Sequence, residues 1–314
     1  MKNKILLITR GQKLFKEEVI SLGLNNADIY APEDEEGILE HIVDADIIFG
    51  NPLIVQEYIN KAKNLKWMQS SFAGIDAMVQ EGLQTDYTLT NVKDVYGAIM
   101  SEYVLGYILV KEKEILGNIE NQKNKNWAPK AYPSLTNKTI GIMGTGSIGS
   151  HIAKMTQAFG MKTLGYGSSD VSKECFDVMY TQETIQEFLS QCDYVVSVLP
   201  NTDATKGIIN KDVFSQMKPS GIFMSLGRGA NLIEEDLIEA IKTKEIAGAV
   251  LDVFQIEPLP KDSELWSLEN VFITPHISGY DEDNESILKI FSENYKRFIS
   301  GQDLIHKIDF NKGY

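Results

Sequence analysis

Arginine is scarce in this sequence of 314 residues, because only three of its 30 basic residues are arginines, Arg10, Arg228 and Arg297. Arg228 stands between two glycines in SLGRGA, at the end of the hydrophobic run GIFMSL. A guanidinium is a planar fork that can bind a carboxylate through two parallel hydrogen bonds, and glycine lets the backbone turn tightly. The stretch therefore indicates either a site for a small anion at a strand end or an ordinary surface arginine in a glycine-rich turn.

The sequence also has fewer basic than acidic residues, no long hydrophobic run and only two cysteines. The net charge is −14 and the sequence pI is about 4.8, which argues against nucleic-acid binding and against adhesion to anionic lipid. No apolar run approaches the roughly 20 residues that span a bilayer, and the run Ile5–Ile8 is too short for a secretory signal. The two cysteines, Cys175 and Cys192, lack metal-ligand spacing. We expect a cytoplasmic protein that binds no metal, nucleic acid or membrane.

Short apolar runs alternate with amphipathic segments, which is the pattern of βαβ units and parallel sheets. The first predicted strands lie in KILLIT, ADIIFG and KNLKWMQSS, and from Thr139 onward six more lie in TIGIMG, MKTLGYG, DYVVSVLP, GIFMSLG, AGAVLDVF and NVFITPH. Between the two groups, residues 97–120 predict one long helix. The sequence therefore predicts an α/β protein with two doubly wound parallel-sheet domains, one formed by residues 1–98 and 284–314 and the other by residues 99–283.

The segment GTGSIG, from Gly144 to Gly149, follows the strand TIGIM and opens a helix. In a dinucleotide-binding unit the first glycine makes the turn, the second, Gly146, lets the backbone approach a pyrophosphate, and the third lets helix and strand pack closely. The N–H groups of Ser147 and Ile148 at the helix start then face the phosphates. A glycine-rich packing turn is the alternative interpretation. The order of strand, glycines and helix favours a dinucleotide site.

The second strand of such a unit usually ends in an acid that binds the adenosine ribose and repels a 2′-phosphate. Here the strand ends in Gly167, Ser168 and Ser169, whereas Asp170 comes three residues late and Lys173 follows. The missing acid favours NADP(H), with NAD(H) possible if Asp170 turns inward to take its place.

Polar residues follow three other predicted strands. Arg228 follows GIFMSLG, Glu257 precedes a proline in LDVFQIEPLP, and His276 follows a proline in FITPHISG. The carboxyl ends of the strands are where open α/β sheets bind ligands. Taken singly, Glu257 can be a solvated turn residue and His276 a loop histidine with its hydrogen bonds satisfied. Together the three side chains indicate a catalytic site that handles an anion and a proton.

The ordered segments GTGSIG, SLGRGA, LDVFQIEPLP and TPHISG resemble the D-isomer-specific 2-hydroxyacid dehydrogenase family, in particular its glyoxylate/hydroxypyruvate reductase-like branch. The flanking segments SSFAGID, MSEYVLGYIL and KPSGIFMSLGRG match as well, so the similarity covers nearly the whole chain. The resemblance implies a flavodoxin-like substrate domain, a Rossmann dinucleotide-binding domain and an active site in the cleft between them.

The resemblance also implies catalytic roles. Arg228 would bind the carboxylate of a 2-oxo acid and polarise its carbonyl, and His276 would protonate the carbonyl oxygen while Glu257 holds the imidazole. The backbone N–H groups of Ala73 and Gly74 would receive the substrate carboxylate from the other domain. The chemistry agrees, since carbonyl reduction needs a proton as well as a hydride and an arginine stabilises charge on oxygen.

Cofactor contacts are implied for a larger set of residues. Asp252 would face the nicotinamide carboxamide. The others are Gly144, Gly146, Ser147, Ile148, Gly149, Gly167, Ser168, Ser169, Lys173, Pro200, Leu226, Gly227, His276 and Gly279. At Gly279 and Tyr280 the sequence departs from the small or tryptophan residues common in the family, which leaves that wall of the pocket unassigned.

The expected reaction is the NAD(P)-dependent interconversion of a small 2-oxo acid and a D-2-hydroxy acid by a homodimer joined mainly through its cofactor domains. The apolar helix face from Ile99 to Leu109 is either part of that dimer interface or internal. Two alternatives stay open, a phosphoglycerate-type dehydrogenase and a dinucleotide-sensing binding protein of the corepressor type.

Overall fold

The structure, a computed structural model, describes residues 2–9, 13–280 and 284–310. The described chain forms two compact units, the first made of Met1–Val95 with Glu282–Tyr314 and the second of Tyr96–Asp281. The sequence placed these boundaries at 98/99 and at 283/284. The second boundary falls next to residues 281–283, which lie outside the described residues.

The strands and longer helices follow one another in regular alternation. In chain order they are β1 (Asn3–Ile8), α1 (Lys13–Ser21), β2 (Ala27–Tyr30), α2 (Glu35–Ile42), β3 (Ile47–Gly50), α3 (Pro52–Val55), β4 (Trp67–Ser70), β5 (Thr88–Thr90), α4 (Gly97–Glu112), α5 (Ile115–Lys123), β6 (Thr139–Met143), α6 (Ser147–Ala158), β7 (Lys162–Tyr166), β8 (Val178–Tyr180), α7 (Ile185–Gln191), β9 (Tyr194–Ser197), α8 (Lys211–Gln216), β10 (Ile222–Ser225), α9 (Glu234–Lys242), β11 (Gly248–Leu251), β12 (Val271–Ile273) and α10 (Glu285–Ile299). Short 3₁₀ turns lie at Ile59–Lys61, Asp76–Met78, Leu135–Asn137, Gln182–Thr184, Gly229–Asn231 and Glu264–Ser267. None of the helices in these described ranges is long and apolar enough to cross a membrane.

In the described part of the first unit, five parallel strands form a sheet in the order β2-β1-β3-β4-β5. This is the flavodoxin-like order, so the predicted flavodoxin-like fold is confirmed. Helix α10 packs on the sheet through Phe291, whose ring stacks on Phe49 with the centroids 4.1 Å apart. After α10 the chain returns to the sheet edge, where Ile308 donates a backbone hydrogen bond to Leu89. The first unit is therefore discontinuous in sequence.

In the second unit, residues 96–280 contain seven parallel strands in the order β12-β11-β10-β9-β6-β7-β8. Successive side chains of a strand point to opposite faces, and accordingly Phe223 and Met224 of β10 belong to two different buried clusters. Both faces of the sheet are therefore covered, as expected of a doubly wound domain. The sequence predicted six of these strands and missed β8, which has only three residues and lies at the sheet edge.

The chain reverses its direction of winding at β6. Its two neighbours in the sheet are β7 on one side and β9 on the other, so the loops that follow β6 and β9 leave the sheet on opposite sides. Such a switch point opens a crevice at the carboxyl ends of the strands, which is where doubly wound sheets bind ligands.

The long helix predicted for residues 97–120 is wrong in one respect, because the structure divides it into α4 and α5. Glu114 adopts a left-handed conformation with φ of 46° between them. Helix α4 buries Val104, Leu105 and Ile108, whereas none of the described residues of α5 is buried. The sequence between the two helices contains neither proline nor glycine, so it carries no signal for the break.

Candidate active site

All the candidate residues of the second unit follow strands of one parallel sheet and therefore lie at its carboxyl edge. The segments are Gly144–Gly149 after β6, Gly167–Ser169 after β7, Pro200 after β9, Leu226–Arg228 after β10, Asp252–Glu257 after β11 and His276–Gly279 after β12.

The glycines of the β6–α6 loop meet three different steric demands. Gly144 has φ of +101°, a conformation that favours glycine, and a Cβ built on Gly149 would lie 1.9 Å from the carbonyl oxygen of Gly144. A Cβ built on Gly146 would meet no described atom within 4 Å, so the space beside this residue is open. Gly146 has no side chain to cap α6, and within the described residues the N–H groups of Ser147, Ile148 and Gly149 have no backbone acceptor. The loop thus fits the diphosphate of a dinucleotide.

The end of β7 is a tight polar turn that is tied to this glycine loop. The ammonium of Lys173 donates hydrogen bonds to the backbone oxygen of Thr145 and, at 2.9 Å, to its hydroxyl. The hydroxyl of Ser169 accepts a hydrogen bond from the N–H of Val171 at 3.2 Å. Ser168, Ser169 and Asp170 are exposed. A cation and two hydroxyl-bearing residues therefore surround the position where an adenosine ribose is expected.

The two glycines that flank Arg228 bring neighbouring loops together. A Cβ built on Gly227 would lie 2.6 Å from the carbonyl oxygen of Leu199, and a Cβ on Gly229 would lie 1.9 Å from that of Phe254. The sequence predicted that these glycines let the backbone turn tightly. What the structure adds is that they allow the loops after β9, β10 and β11 to touch.

The side chain of Arg228 is half-buried, and its backbone is extended with φ of −139°. Its Nη1 donates a hydrogen bond to the carbonyl oxygen of Gly227 at 2.8 Å. This contact turns the guanidinium back along its own loop. Nearby, the carbonyl oxygen of Pro200 accepts hydrogen bonds from Thr205 and from the buried Asn231, so the loops around Leu226 and Pro200 are fixed to each other.

Glu257 and His276 are in direct contact. Nδ1 of His276 lies 2.8 Å from Oε2 of Glu257, while Oε1 of Glu257 accepts a hydrogen bond from the N–H of Phe254 at 3.0 Å. Glu234 and the side chain of Gln255 anchor the same loop through backbone hydrogen bonds. Because Nδ1 faces the carboxylate, Nε2 is the ring nitrogen that can exchange a proton with a substrate.

Asp252 is fully buried and holds the loop that carries His276. Its Oδ1 accepts hydrogen bonds from the hydroxyl of Thr274 at 2.5 Å and the N–H of Ile277 at 2.8 Å, and its Oδ2 accepts one from the N–H of Ser278 at 2.8 Å. The hydroxyl of Thr274 in turn lies 2.6 Å from that of Tyr103 on α4. Sequence reasoning missed both Thr274 and Tyr103. The sequence carries a signal only for Thr274, which stands two residues before His276 in the segment TPH. The carboxamide contact implied for Asp252 stays a prediction.

Gly279 ends this loop. A Cβ built on it would come no closer than 3.6 Å to a described atom, the nearest being a ring carbon of Tyr96. The site thus tolerates a small side chain here. Cofactor contact by Gly279 stays a prediction. Among the described residues, no group of three His, Cys, Asp or Glu side chains is arranged to hold a metal ion.

In the first unit, the loop after β4 carries Ala73 and Gly74. The hydroxyl of Ser70 accepts a hydrogen bond from the N–H of Phe72, and Asn91 donates one to the carbonyl oxygen of Ala73 at 2.8 Å. Within the described residues, the N–H groups of Ala73 and Gly74 have no hydrogen-bond acceptor. They are thus held in place and able to bind an anion.

Fold and site together define an α/β oxidoreductase that binds a dinucleotide at the carboxyl edge of its second sheet. The family model described as "D-isomer specific 2-hydroxyacid dehydrogenase, NAD binding domain" matches residues 105–278, and the chain belongs to this family. The predicted family is confirmed, and with it the enzyme class, an NAD(P)-dependent D-2-hydroxyacid dehydrogenase or reductase.

Several relatives are similar over most of the chain. A D-isomer specific 2-hydroxyacid dehydrogenase family protein from Aeromonas salmonicida is 37% identical, with a TM-score of 0.92 over 99% of this chain and 100% of that one. The NADPH-dependent glyoxylate/hydroxypyruvate reductase from Sinorhizobium meliloti, solved with NADP and sulfate, is 26% identical, with a TM-score of 0.89 over 100% of both chains. The D-3-phosphoglycerate dehydrogenase of Methanocaldococcus jannaschii is 30% identical over 85% of this chain but only 52% of its own length.

Proposed function

We propose that the protein reduces a small 2-oxo acid, of the size of glyoxylate or hydroxypyruvate, to the D-2-hydroxy acid with NADPH. The observation that carries this proposal is the 2.8 Å contact between Glu257 and His276. It lies on the same sheet edge as Arg228 and the glycine loop, so a proton donor, an anion-binding cation and a dinucleotide site occur together. The NADPH-dependent glyoxylate/hydroxypyruvate reductase from S. meliloti, to which this chain is similar, supports this substrate class.

The cofactor, when bound, supplies a hydride from its reduced nicotinamide. The residues of this chain supply the rest of the chemistry. Arg228 binds the substrate carboxylate through its guanidinium fork and stabilises the charge that develops on the carbonyl oxygen. Nε2 of His276 gives its proton to that oxygen, and Glu257, in contact with Nδ1, balances the charge of the imidazolium before the transfer. One hydride and one proton add across the carbonyl, and the reverse reaction returns them.

The second anion site of the proposal is the loop of the first unit at Ala73 and Gly74. Its backbone N–H groups are fixed by the hydrogen bonds of Ser70 and Asn91 and suit a carboxylate. We assign them to the substrate carboxylate.

NADP(H) is the cofactor we propose, with NAD(H) as a weaker second. Lys173 stands over the glycine loop through its hydrogen bonds to Thr145, and a 2′-phosphate beside Ser168 and Ser169 meets a cation there rather than the usual carboxylate. The complexes of the S. meliloti reductase and of a probable 2-hydroxyacid dehydrogenase from Rhizobium etli with NADP support this choice.

The test of function is steady-state turnover of glyoxylate and hydroxypyruvate with NADPH and with NADH, with chiral analysis of the glycerate formed from hydroxypyruvate. We expect NADPH-dependent reduction that yields the D isomer. The variant His276→Ala should lose kcat by about 10²–10⁴. Failure of the wild-type enzyme to reduce either acid, or wild-type turnover by His276→Ala at neutral pH, would contradict the proposal.

A phosphoglycerate-type activity is the second candidate, since the relative from M. jannaschii carries that name. A phosphorylated substrate needs a second cationic anchor, most often an arginine. Arg297 pairs with Glu293 on α10 at 2.7 Å, and Arg10 lies outside the described residues. A higher kcat/KM for 3-phosphohydroxypyruvate than for hydroxypyruvate would favour this candidate over the one we propose.

We further propose a cytoplasmic homodimer. Ile115, Leu116 and Ile119 of α5 are exposed, and Trp127, which follows them, is 93% exposed. An apolar face of this kind marks a protein–protein interface. The helix face from Ile99 to Leu109, considered for this role, is largely packed inside the second unit. The cytoplasmic location is supported by the two free cysteines, Cys175 and Cys192.

A further inference from the structure

The loop from Thr274 to Ser278, which carries His276, is anchored at both of its ends to the carboxylate of Asp252. At one end the hydroxyl of Thr274 donates to Oδ1, and at the other the N–H groups of Ile277 and Ser278 donate to Oδ1 and Oδ2. The carboxylate is fully buried, where hydrogen bonds to a charged acceptor are strong and an unpaired charge is costly. Asp252 therefore holds this loop at both of its ends.

His276 needs such an anchor because of its backbone conformation. Its φ is +56°, in the left-handed region that non-glycine residues seldom adopt and that surrounding structure must enforce. The imidazole itself is half exposed and touches Glu257. A loop that relaxed out of this conformation would turn the imidazole away from the carboxylate.

Tyr103 extends the anchor to helix α4. Its hydroxyl lies 2.6 Å from that of Thr274. Burial raises the pKa of Tyr103 well above its usual value, so the phenol stays protonated and can donate to Thr274. With Tyr103 as donor, the hydroxyl of Thr274 is free to donate to Asp252, and the hydrogen bonds run in one direction from α4 to the loop.

We propose that Tyr103 and Thr274 are positioning residues for the reduction, which act through Asp252 to hold His276 against Glu257 in the orientation that delivers a proton. This inference rests on the proposed function. In this proposal, neither Tyr103 nor Thr274 touches the substrate or the cofactor. Their effect is on the geometry of the proton donor, and a displacement of about 1 Å in a catalytic group can lower a rate by about 10²-fold.

The first experiment measures steady-state kinetics of Tyr103→Phe, Thr274→Val and Thr274→Ser in H₂O and D₂O. We expect Tyr103→Phe and Thr274→Val to lower kcat by about tenfold, to leave KM for the 2-oxo acid within about twofold, and to enlarge the solvent isotope effect on kcat because proton transfer becomes slower. Thr274→Ser keeps the hydroxyl, so its kcat and its solvent isotope effect should stay close to those of the wild type.

The matched control is Tyr194→Phe. Tyr194 is more deeply buried than the half-buried Tyr103, and its hydroxyl donates to Glu112 at 2.5 Å, but it lies at the start of β9, at the amino ends of the strands of the same sheet. Tyr194→Phe should cost at least as much stability as Tyr103→Phe while it leaves kcat and the isotope effect unchanged. An equal loss of kcat in Tyr194→Phe would show a general effect of destabilisation and overturn the positioning role.

The second experiment does not depend on activity. Amide hydrogen exchange of peptides that cover residues 274–278 should be about tenfold faster in Tyr103→Phe and Thr274→Val than in the wild type, and unchanged in Tyr194→Phe. Unchanged exchange in the first two variants would overturn the anchor, whether or not the enzyme reduces 2-oxo acids. Faster exchange with wild-type kcat and isotope effect, in an active enzyme, would overturn the positioning role. A wild type inactive on every small 2-oxo acid contradicts the proposed function instead, and the exchange rates then test the anchor alone.

Discussion

At the scale of single residues, the site depends on anchors that lie far from it in the sequence. Glu257 and His276 can be identified from the sequence because each follows a hydrophobic strand, and Arg228 because arginine is so scarce. The residues that hold these side chains in place cannot be identified in this way. Glu234 holds the loop of Glu257, and Tyr103 reaches the loop of His276 from helix α4. These contacts are set by the fold and not by spacing along the sequence.

Arg228→Lys tests the need for a guanidinium fork. A lysine keeps the charge but offers a single point of contact, so KM for the 2-oxo acid should rise and kcat should fall, with a combined loss in kcat/KM of about tenfold or more. Steady-state kinetics give both constants. Arg297→Lys, on α10 beside Glu293, is the matched control and should leave both unchanged. Equal kinetics in the two variants would remove the carboxylate fork from the mechanism.

Gly167→Asp tests the basis of the cofactor preference. A carboxylate at the end of β7 should repel the 2′-phosphate, and the ratio of kcat/KM for NADPH to that for NADH should fall by about tenfold or more. A Cβ at this position comes within 3.1 Å of the hydroxyl of Thr145, which the threonine side chain can relieve by a small shift. Gly106→Asp, at an exposed position on α4, should keep the ratio. A wild type that prefers NADH more than tenfold would contradict the proposed cofactor.

At the scale of elements, the apolar runs predict which segments form the long strands, but not how their ends are joined. The strand β8 was missed because three residues, of which one is exposed, one half-buried and one buried, are too few to show a period. The break between α4 and α5 was missed because a left-handed Glu114 leaves no signal in the sequence. The glycines of SLGRGA were noticed, yet their packing against Leu199 and Phe254 involves backbone atoms that a sequence pattern does not place.

Gly229→Ala tests that packing between loops. The added Cβ would lie 1.9 Å from the carbonyl oxygen of Phe254, and because both sides are backbone, the loops must separate. We expect a loss of about 3 kcal/mol or more in the free energy of unfolding, measured by urea denaturation. Gly106→Ala, which meets no described atom within 4 Å, should instead add about 0.5–1 kcal/mol. Equal stability of Gly229→Ala and the wild type would contradict the close contact.

Asp46→Asn tests a junction between strands in the first unit. The carboxylate of Asp46, just before β3, accepts hydrogen bonds from the N–H of Lys4 on β1 and the ammonium of Lys66 next to β4. Burial alone would raise the pKa of Asp46, but these two partners outweigh it and lower the pKa below its usual value. The folded form thus favours the ionised carboxylate.

The stabilisation by Asp46 is therefore complete above the unfolded pKa of about 3.9 and is lost as the pH falls through the lower folded value. In urea denaturation between pH 7 and pH 3, Asp46→Asn should be less stable than the wild type at neutral pH, with a difference that shrinks in acid. Asp28→Asn, which removes an exposed partner of Lys2, should change little at any pH. A difference for Asp46→Asn that grows as the pH falls would contradict this assignment.

At the scale of the whole molecule, the exposed face of α5 predicts assembly. Light scattering on a sizing column should give twice the chain mass of 35.2 kDa for the wild type. Leu116→Glu places a charge in the apolar face and should weaken the dimer by about tenfold or more. Val43→Glu, at an exposed position of the first unit, should leave it intact. A monomeric wild type at micromolar concentration would contradict the dimer.

The return of α10 to the first sheet has a consequence for synthesis on the ribosome. Phe49 and Trp67 emerge early, but Phe291, which stacks on both, is translated only after all of the second unit. At about 5–20 residues per second, on the order of 10 s or more separates β5 from α10. The second unit, continuous in sequence, can fold in that interval, whereas the part of the first sheet that packs against Phe291 stays exposed. The strands made first are thus the last to be enclosed, and the nascent chain is most open to chaperones, and to aggregation, at the sheet that Phe291 will cover.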